Sequence, residues 1–215
     1  FIFSRQDNEF MGFYNRYILP KAVHYACGLK KVRRQREQVV PHARGRVLEV
    51  GIGTGLNLPY YDASRISKVW GLDPAPEMIR VARRVADSVP FEVDFIGLSG
   101  DEIPIEDSSV DTVVVTYTLC SIADTLPALL QMRRVLRPGG ELLFCEHGVA
   151  PDASVRRWQE RINPIWKRIG GGCHLNRVIP DQIKAGGFKI KQMDSMYISG
   201  WRPASFNFWG VAVPR

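Results

Sequence analysis

Cysteine and histidine are scarce in this chain, four of each in 215 residues. Cys27, Cys120, Cys145 and Cys173 are scattered, with no CxxC pair. A disulfide framework is therefore not expected, and a reducing cytoplasm is the natural compartment. Cys173 and His174 are adjacent, but no histidine stands at zinc spacing from a cysteine pair, so no metal is expected. No apolar run approaches the roughly 18 residues that a bilayer-spanning helix needs. A secretory signal is also missing, and a start at Phe1 fits a chain whose upstream segment has been removed. No internal repeat or low-complexity linker divides the sequence, so one domain over 1–215 is expected.

Charge is present in excess of one sign. The net charge is +7 and the isoelectric point is near 9.4. The densest basic run is "KKVRRQR", contributing Lys30, Lys31, Arg33, Arg34 and Arg36. Such a run is either a solvated helix face or a contact for an anionic membrane surface. Neither a zinc-finger spacing nor an RNP-type aromatic motif nor a helix-turn-helix accompanies it, so nucleic acid is not an expected partner.

Residues 1–45 are aromatic and then basic, with apolar residues at helical spacing broken near Pro20 and Gly28, and they are expected to form a helical lid. "RVLEV" (46–50), "KVWGLD" (68–73), "FEVDFIG" (91–97), "VDTVVVTYTL" (110–119) and "ELLFCEHG" (141–148) read as strands, the fourth fully buried. Helices are expected through "PEMIRVARRVADS" and "LPALLQMRRVL", the second stopped by "RPGG". Two further strands lie in "FKIKQMDSMYI" and "FNFWGVAVP". Strands alternating with helices imply a doubly wound, Rossmann-like, mostly parallel sheet of seven strands in an α/β fold. The cofactor core falls at 46–150, and acceptor-side helices and closing strands at 151–215.

The stretch "VLEVGIGTGLN" places Gly51, Gly53 and Gly55 directly after a strand, with Glu49 two residues before the first glycine. A dinucleotide fingerprint is GxGxxG, and its loop meets a pyrophosphate that a carboxylate would repel. Glu49 suits a cation instead, such as an α-ammonium or a sulfonium, and disfavours a nicotinamide cofactor. Asp73 ends the next strand, where a carboxylate can accept both hydroxyls of a ribose.

"LEVGIGTG", "GLDPAPEM", "SGDEIPIEDSSVD" and "RVLRPGG", in that order, resemble the class I S-adenosylmethionine-dependent methyltransferases over roughly residues 46–150. "TYTLCSI", "CEHG" and "GGGCHLNR" are similar to the narrower thiol S-methyltransferase family and its bacterial relatives. A more distant likeness is to quinone-biosynthesis C-methyltransferases and bacterial phosphatidylethanolamine N-methyltransferases. The resemblance implies S-adenosylmethionine as cofactor, with S-adenosylhomocysteine as its product. It implies that Glu49, Gly51, Gly53 and Gly55 line the methionine half, that Asp73 takes the ribose hydroxyls, that Met78 packs near the adenine, and that Asn57 and Pro74 are further cofactor contacts. Gly100, Asp101 and Glu102 occupy the adenine-edge segment, with Ser99 where an acid often stands. Thr116, Tyr117 and Cys120 follow the fourth strand, where cofactor and acceptor contacts are expected.

Methyl transfer is an in-line displacement, and alignment of acceptor and methyl group alone can lower the barrier by roughly 7–11 kcal/mol. A thiol acceptor needs little help with deprotonation. A carbon acceptor needs a base, for which His147, just past the fifth strand, is the candidate; the alternative is a histidine that only supports its loop. Acceptor contacts are expected from Tyr14, Tyr17, Trp166, Cys173 and His174. Trp158, Ile162 and Trp166 lie on one helical face, either in the core or on the acceptor-pocket wall. The acceptor is expected to be small and apolar, a thiol first, with the phospholipid headgroup and quinone as alternatives and a non-catalytic cofactor-binding module as a further class.

Overall fold

The computed structural model describes Tyr14 and residues 18–215. Its centre is the run "VDTVVVT": strand β4 (Val110–Thr116) is buried along its whole length. Val113 and Val115 face one side of the sheet, where they meet Leu48, Val50, Leu142 and Phe144. Val114 faces the other, with Val47, Val69, Leu143 and Cys145. Apolar β-branched residues on both faces of one strand are what a sheet covered on both sides requires.

The remaining strands are β1 (Gly45–Val50), β2 (Ile66–Leu72), β3 (Glu92–Ile96), β5 (Leu136–His147), β6 (Phe188–Tyr197) and β7 (Phe206–Pro214). They form one seven-stranded sheet in the order β3-β2-β1-β4-β5-β7-β6. The first five are parallel neighbours, and β7 is inserted antiparallel between β5 and β6. The expected strand assignments therefore hold, with boundaries moved by a few residues. The largest shift is at "RPGG". Helix α4 (Thr125–Val135) does stop there, but the chain pairs with β4 on both sides of the glycines, Leu136 with Val110 and Glu141 with Thr112.

Helices α1 (Leu19–Gly28) and α2 (Lys30–Glu37) are separated at Leu29, whose ψ of 142° is extended. Pro20 does not break α1 but occupies its first turn, where a missing N–H costs nothing. Helix α3 (Pro76–Ala86) starts on a proline, and α4 is capped by Asp124, whose carboxylate accepts Leu126 N–H at 3.1 Å. Beyond the parallel core come α5 (Ala153–Ile169) and α6 (Ile179–Ala185). Among the described residues, no helix is long and apolar enough to cross a membrane.

The aromatic stripe of α5 is a correction. Trp158 is 58% exposed, and the buried residues of this helix are Val155 and Gln159. Gln159 is fully buried because its amide is fully used: it accepts from Ala150 N–H and donates to the carbonyls of Gly148, Leu175 and Pro203. A polar side chain that ties three segments together, around Gly148–Ala150, Leu175 and Pro203, displaced the tryptophan that hydrophobicity alone favours for burial.

Candidate functional site

The carboxyl ends of β1, β2 and β4 open onto a cavity of about 650 Å³, within the usual range for small-molecule sites. The glycine loop forms its floor. Gly51 (φ +75°) takes a left-handed backbone, and a Cβ there would lie 2.2 Å from Thr118 Oγ1. Gly53 (φ +55°) is the opposite case: a Cβ would meet nothing closer than 4.0 Å, so the backbone is bare towards the cavity. Gly55 is off the cavity wall and packs against Ala82 of α3.

Asp73 fastens this loop to the start of α3. Its Oδ2 accepts Gly53 N–H and its Oδ1 accepts Ala75 N–H, each at 2.9 Å. Burial raises its carboxyl pKa, and the two amides pull it back. Glu49 is 1% exposed and accepts from Tyr61 Oη at 2.7 Å and Asn57 Nδ2 at 3.0 Å. Burial pushes its pKa up to about 7 against those hydrogen bonds and the nearby Arg36 charge. Asn57 also donates to Thr116 Oγ1, which leaves its buried Oδ1 without a partner on the cavity wall. A buried carboxylate, an orphaned amide oxygen and a bare glycine backbone together fit the ammonium-bearing half of S-adenosylmethionine. Asp73 stands at the next strand end, the position that suits a ribose.

Of the residues expected to hold that cofactor, Glu49, Gly51, Gly53, Asn57, Asp73, Pro74, Met78, Gly100, Asp101, Thr116 and Tyr117 line the cavity, whereas Gly55, Glu102 and Cys120 do not. Ser99 and Asp101 are joined by a short hydrogen bond at the adenine-edge segment. Of the expected acceptor contacts, Tyr17 lies outside the described residues. Tyr14 donates to the carbonyl of Ile169 at 2.7 Å. Trp166, Cys173 and His174 are off the wall, and their neighbours Gly170 and Gly171 are on it. His147 is also off the wall. Its ring stacks on Tyr117, with centroids 6.4 Å apart, and its Nε2 is 3.1 Å from Cys173 Sγ.

Several cavity residues gave no motif signal. Leu19, Val23, His24 and Cys27 of α1 cover the glycine loop, and His24 Nδ1 is 2.7 Å from Thr54 Oγ1. Arg36 of α2 was expected in a surface patch but is 4% exposed and faces the cavity. It donates to the Cys27 carbonyl at 2.6 Å, its guanidinium lies 5.2 Å from the centre of the Tyr117 ring, and its Nε has no partner. Glu146, fully buried, accepts the N–H groups of Thr118, Leu119 and Cys120 and so fixes the loop after β4. In sequence Arg36 looks like its solvated neighbours, and Glu146 looks like any polar residue at a strand end.

A family model of the methyltransferase domain matches residues 48–144. Human thiol S-methyltransferase TMT1B is 35% identical over 178 residues, covering 80% of this chain and 72% of that protein. The rat protein of the same name is 35% identical over 169 residues, 77% of this chain, and the match spans 66% of its length. A methyltransferase structure from Thermotoga maritima, described as a possible histamine N-methyltransferase, covers 95% of this chain and 99% of its own, with a TM-score of 0.67 at 19% identity, a likeness of fold. By the identity and coverage of the human relative, and with the cofactor motifs standing on one cavity wall, the chain belongs to the thiol S-methyltransferase family of class I S-adenosylmethionine-dependent methyltransferases.

Proposed function

We propose that the protein transfers a methyl group from S-adenosylmethionine to the sulfur of a small, apolar thiol. The observation that carries this reading is Arg36, the one lysine or arginine on the wall of the cavity among the described residues. No carboxylate among the described residues forms an ion pair with it. A buried guanidinium with no carboxylate at ion-pair distance, although Glu49 stands near enough to feel its charge, favours an anionic nucleophile on the acceptor side and opposes an ammonium, which is how a phosphatidylethanolamine headgroup arrives. Leu19, Val23, Ile122 and Pro127 give the same wall its apolar part, which suits a greasy acceptor. Helix α1 serves as the lid over the cofactor.

The test is an acceptor panel of alkyl thiols, hydrogen sulfide, phosphatidylethanolamine and quinols with labelled methyl donor. Thiols are methylated fastest, and Arg36→Gln lowers their turnover roughly 10- to 100-fold, the scale of one hydrogen bond to a charged group. Turnover confined to phosphatidylethanolamine or quinols would overturn the reading. A loss in Arg36→Gln that lies wholly in cofactor affinity would remove Arg36 from the acceptor.

The basic residues left on the surface of α2, Lys30, Arg33 and Arg34, support weak contact with an anionic membrane, from which an apolar acceptor could be drawn. Each such residue contributes about 1 kcal/mol within a Debye length of roughly 8 Å. In vesicle flotation the protein rises with anionic liposomes at low salt and not at high salt; equal recovery with neutral vesicles would refute the contact.

A further inference from the structure

We propose that Cys120, His147 and Cys173 bind one zinc ion at the edge of the acceptor side of the cavity. The three residues come from separate elements: the loop after β4, the end of β5 and the loop after α5. In the linear sequence nothing pairs them, yet their Sγ and ring-nitrogen atoms all lie within 4.8 Å of one another. Cys120 is buried, and His147 and Cys173 are half-buried.

The distances fit a small tetrahedral ion. With Zn–S near 2.3 Å and Zn–N near 2.0–2.1 Å, ligand atoms of one zinc stand about 3.6–3.8 Å apart. His147 Nε2 and Cys173 Sγ, now 3.1 Å apart, need to open by only about half an ångström, within the reach of a side-chain rotation. Outer partners are already in place. Trp166 Nε1–H donates to Cys173 Sγ at 3.4 Å, and Ser121 Oγ is 3.5 Å from Cys120 Sγ. Such contacts orient thiolate ligands. The backbone is held as well: Glu146 accepts Cys120 N–H at 3.4 Å, and His174 N–H donates to the Cys120 carbonyl at 2.8 Å. His147 Nδ1 is buried without a partner among the described residues, so with Nε2 on the metal its N–H lacks an outer partner of the kind that the two cysteines' sulfurs have in Trp166 and Ser121.

Two thiolates and an imidazole select a soft or borderline ion over magnesium or calcium. Binding releases the two thiol protons and leaves a site with no net charge. Three protein ligands leave the fourth tetrahedral position to an exogenous ligand, the pattern of catalytic rather than structural zinc. On the thiol reading above, on which this step rests, that ligand is the acceptor, whose sulfur is deprotonated on coordination. The cluster adjoins the cavity through Tyr117, which stacks on His147, and Ser121, both of which line the wall.

Cobalt(II) is the probe, because tetrahedral thiolate coordination gives it an intense sulfur-to-metal charge-transfer band. The reduced full-length protein is titrated with Co²⁺ and then with Zn²⁺, which displaces it. The expected result is one tetrahedral Co²⁺ per chain. Cys173→Ser and His147→Gln each lower the affinity more than about 100-fold, beyond the 10- to 100-fold typical of groups that only orient a ligand. Cys173→Ser, at a half-buried position, is compared with wild type by circular dichroism so that misfolding is recognised; if it misfolds, His147→Gln carries the comparison. A folded wild type that shows only the weak octahedral spectrum overturns the site, as do folded variants that bind Co²⁺ as wild type does. Adding an alkyl thiol without cofactor shifts the charge-transfer band; an unchanged band removes the acceptor from the metal and leaves the outcome of the acceptor panel independent.

Discussion

Asp73→Ala weakens S-adenosylmethionine binding by roughly 10- to 100-fold in titration calorimetry. The size follows from hydrogen bonds between a ligand hydroxyl and a charged carboxylate, about 1.5–3 kcal/mol. The carboxylate is preorganised to receive a ribose. Gly53 N–H and Ala75 N–H hold both of its oxygens at 2.9 Å, so no rotamer freedom is lost on binding. The same two bonds mean that the alanine variant also loosens the glycine loop. Asp73→Asn separates the effects, since it retains one oxygen and the side-chain shape. An affinity between those of alanine and wild type is the expected result. Unchanged affinity in Asp73→Ala would remove Asp73 from the cofactor site, and NAD bound as tightly as S-adenosylmethionine would contradict the role given to Glu49.

The second large effect is a pH dependence located at Glu49. Its folded pKa is raised by burial from the usual carboxyl value to about 7. The folded state therefore holds this proton more tightly than the unfolded chain does. Stability from this group is fully present below about pH 4.5 and is lost as pH rises through about 7. At 1.36 kcal/mol per pKa unit the loss is on the order of 3 kcal/mol. Burial also raises the pKa of Glu146, which adds a slope of the same sign. The difference between wild type and Glu49→Gln isolates Glu49: the variant gains relative stability as pH rises in urea denaturation without ligand. Cofactor affinity moves the other way in wild type, tightening between about pH 6 and 8 as the carboxylate becomes available to a cation, and Glu49→Gln flattens that change. A pH slope identical in both proteins would show that Glu49 stays ionised throughout and is neutralised by Arg36.

The sequence by itself determined the sheet, because burial on both faces leaves a pattern that only β-branched and apolar residues satisfy, as along "VDTVVVT". It also determined the cofactor wall. Glu49, Gly51, Gly53 and Asp73 act from adjacent strand ends, and their spacing along the chain carries their geometry. Only the tertiary structure decided the acceptor side. Arg36 and Lys31 belong to one basic run, and which of them is buried depends on how α2 docks against Tyr117 and Cys27. Trp158 and Gln159 are neighbours on α5, and the glutamine is inside because four loop groups converge on its amide. Cys120, His147 and Cys173 meet across 53 residues of sequence because the parallel strands β4 and β5 bring their carboxyl ends to one edge and the loop after α5 folds back onto it. Contacts between distant segments depend on docking angles and loop closure, which a linear pattern does not encode.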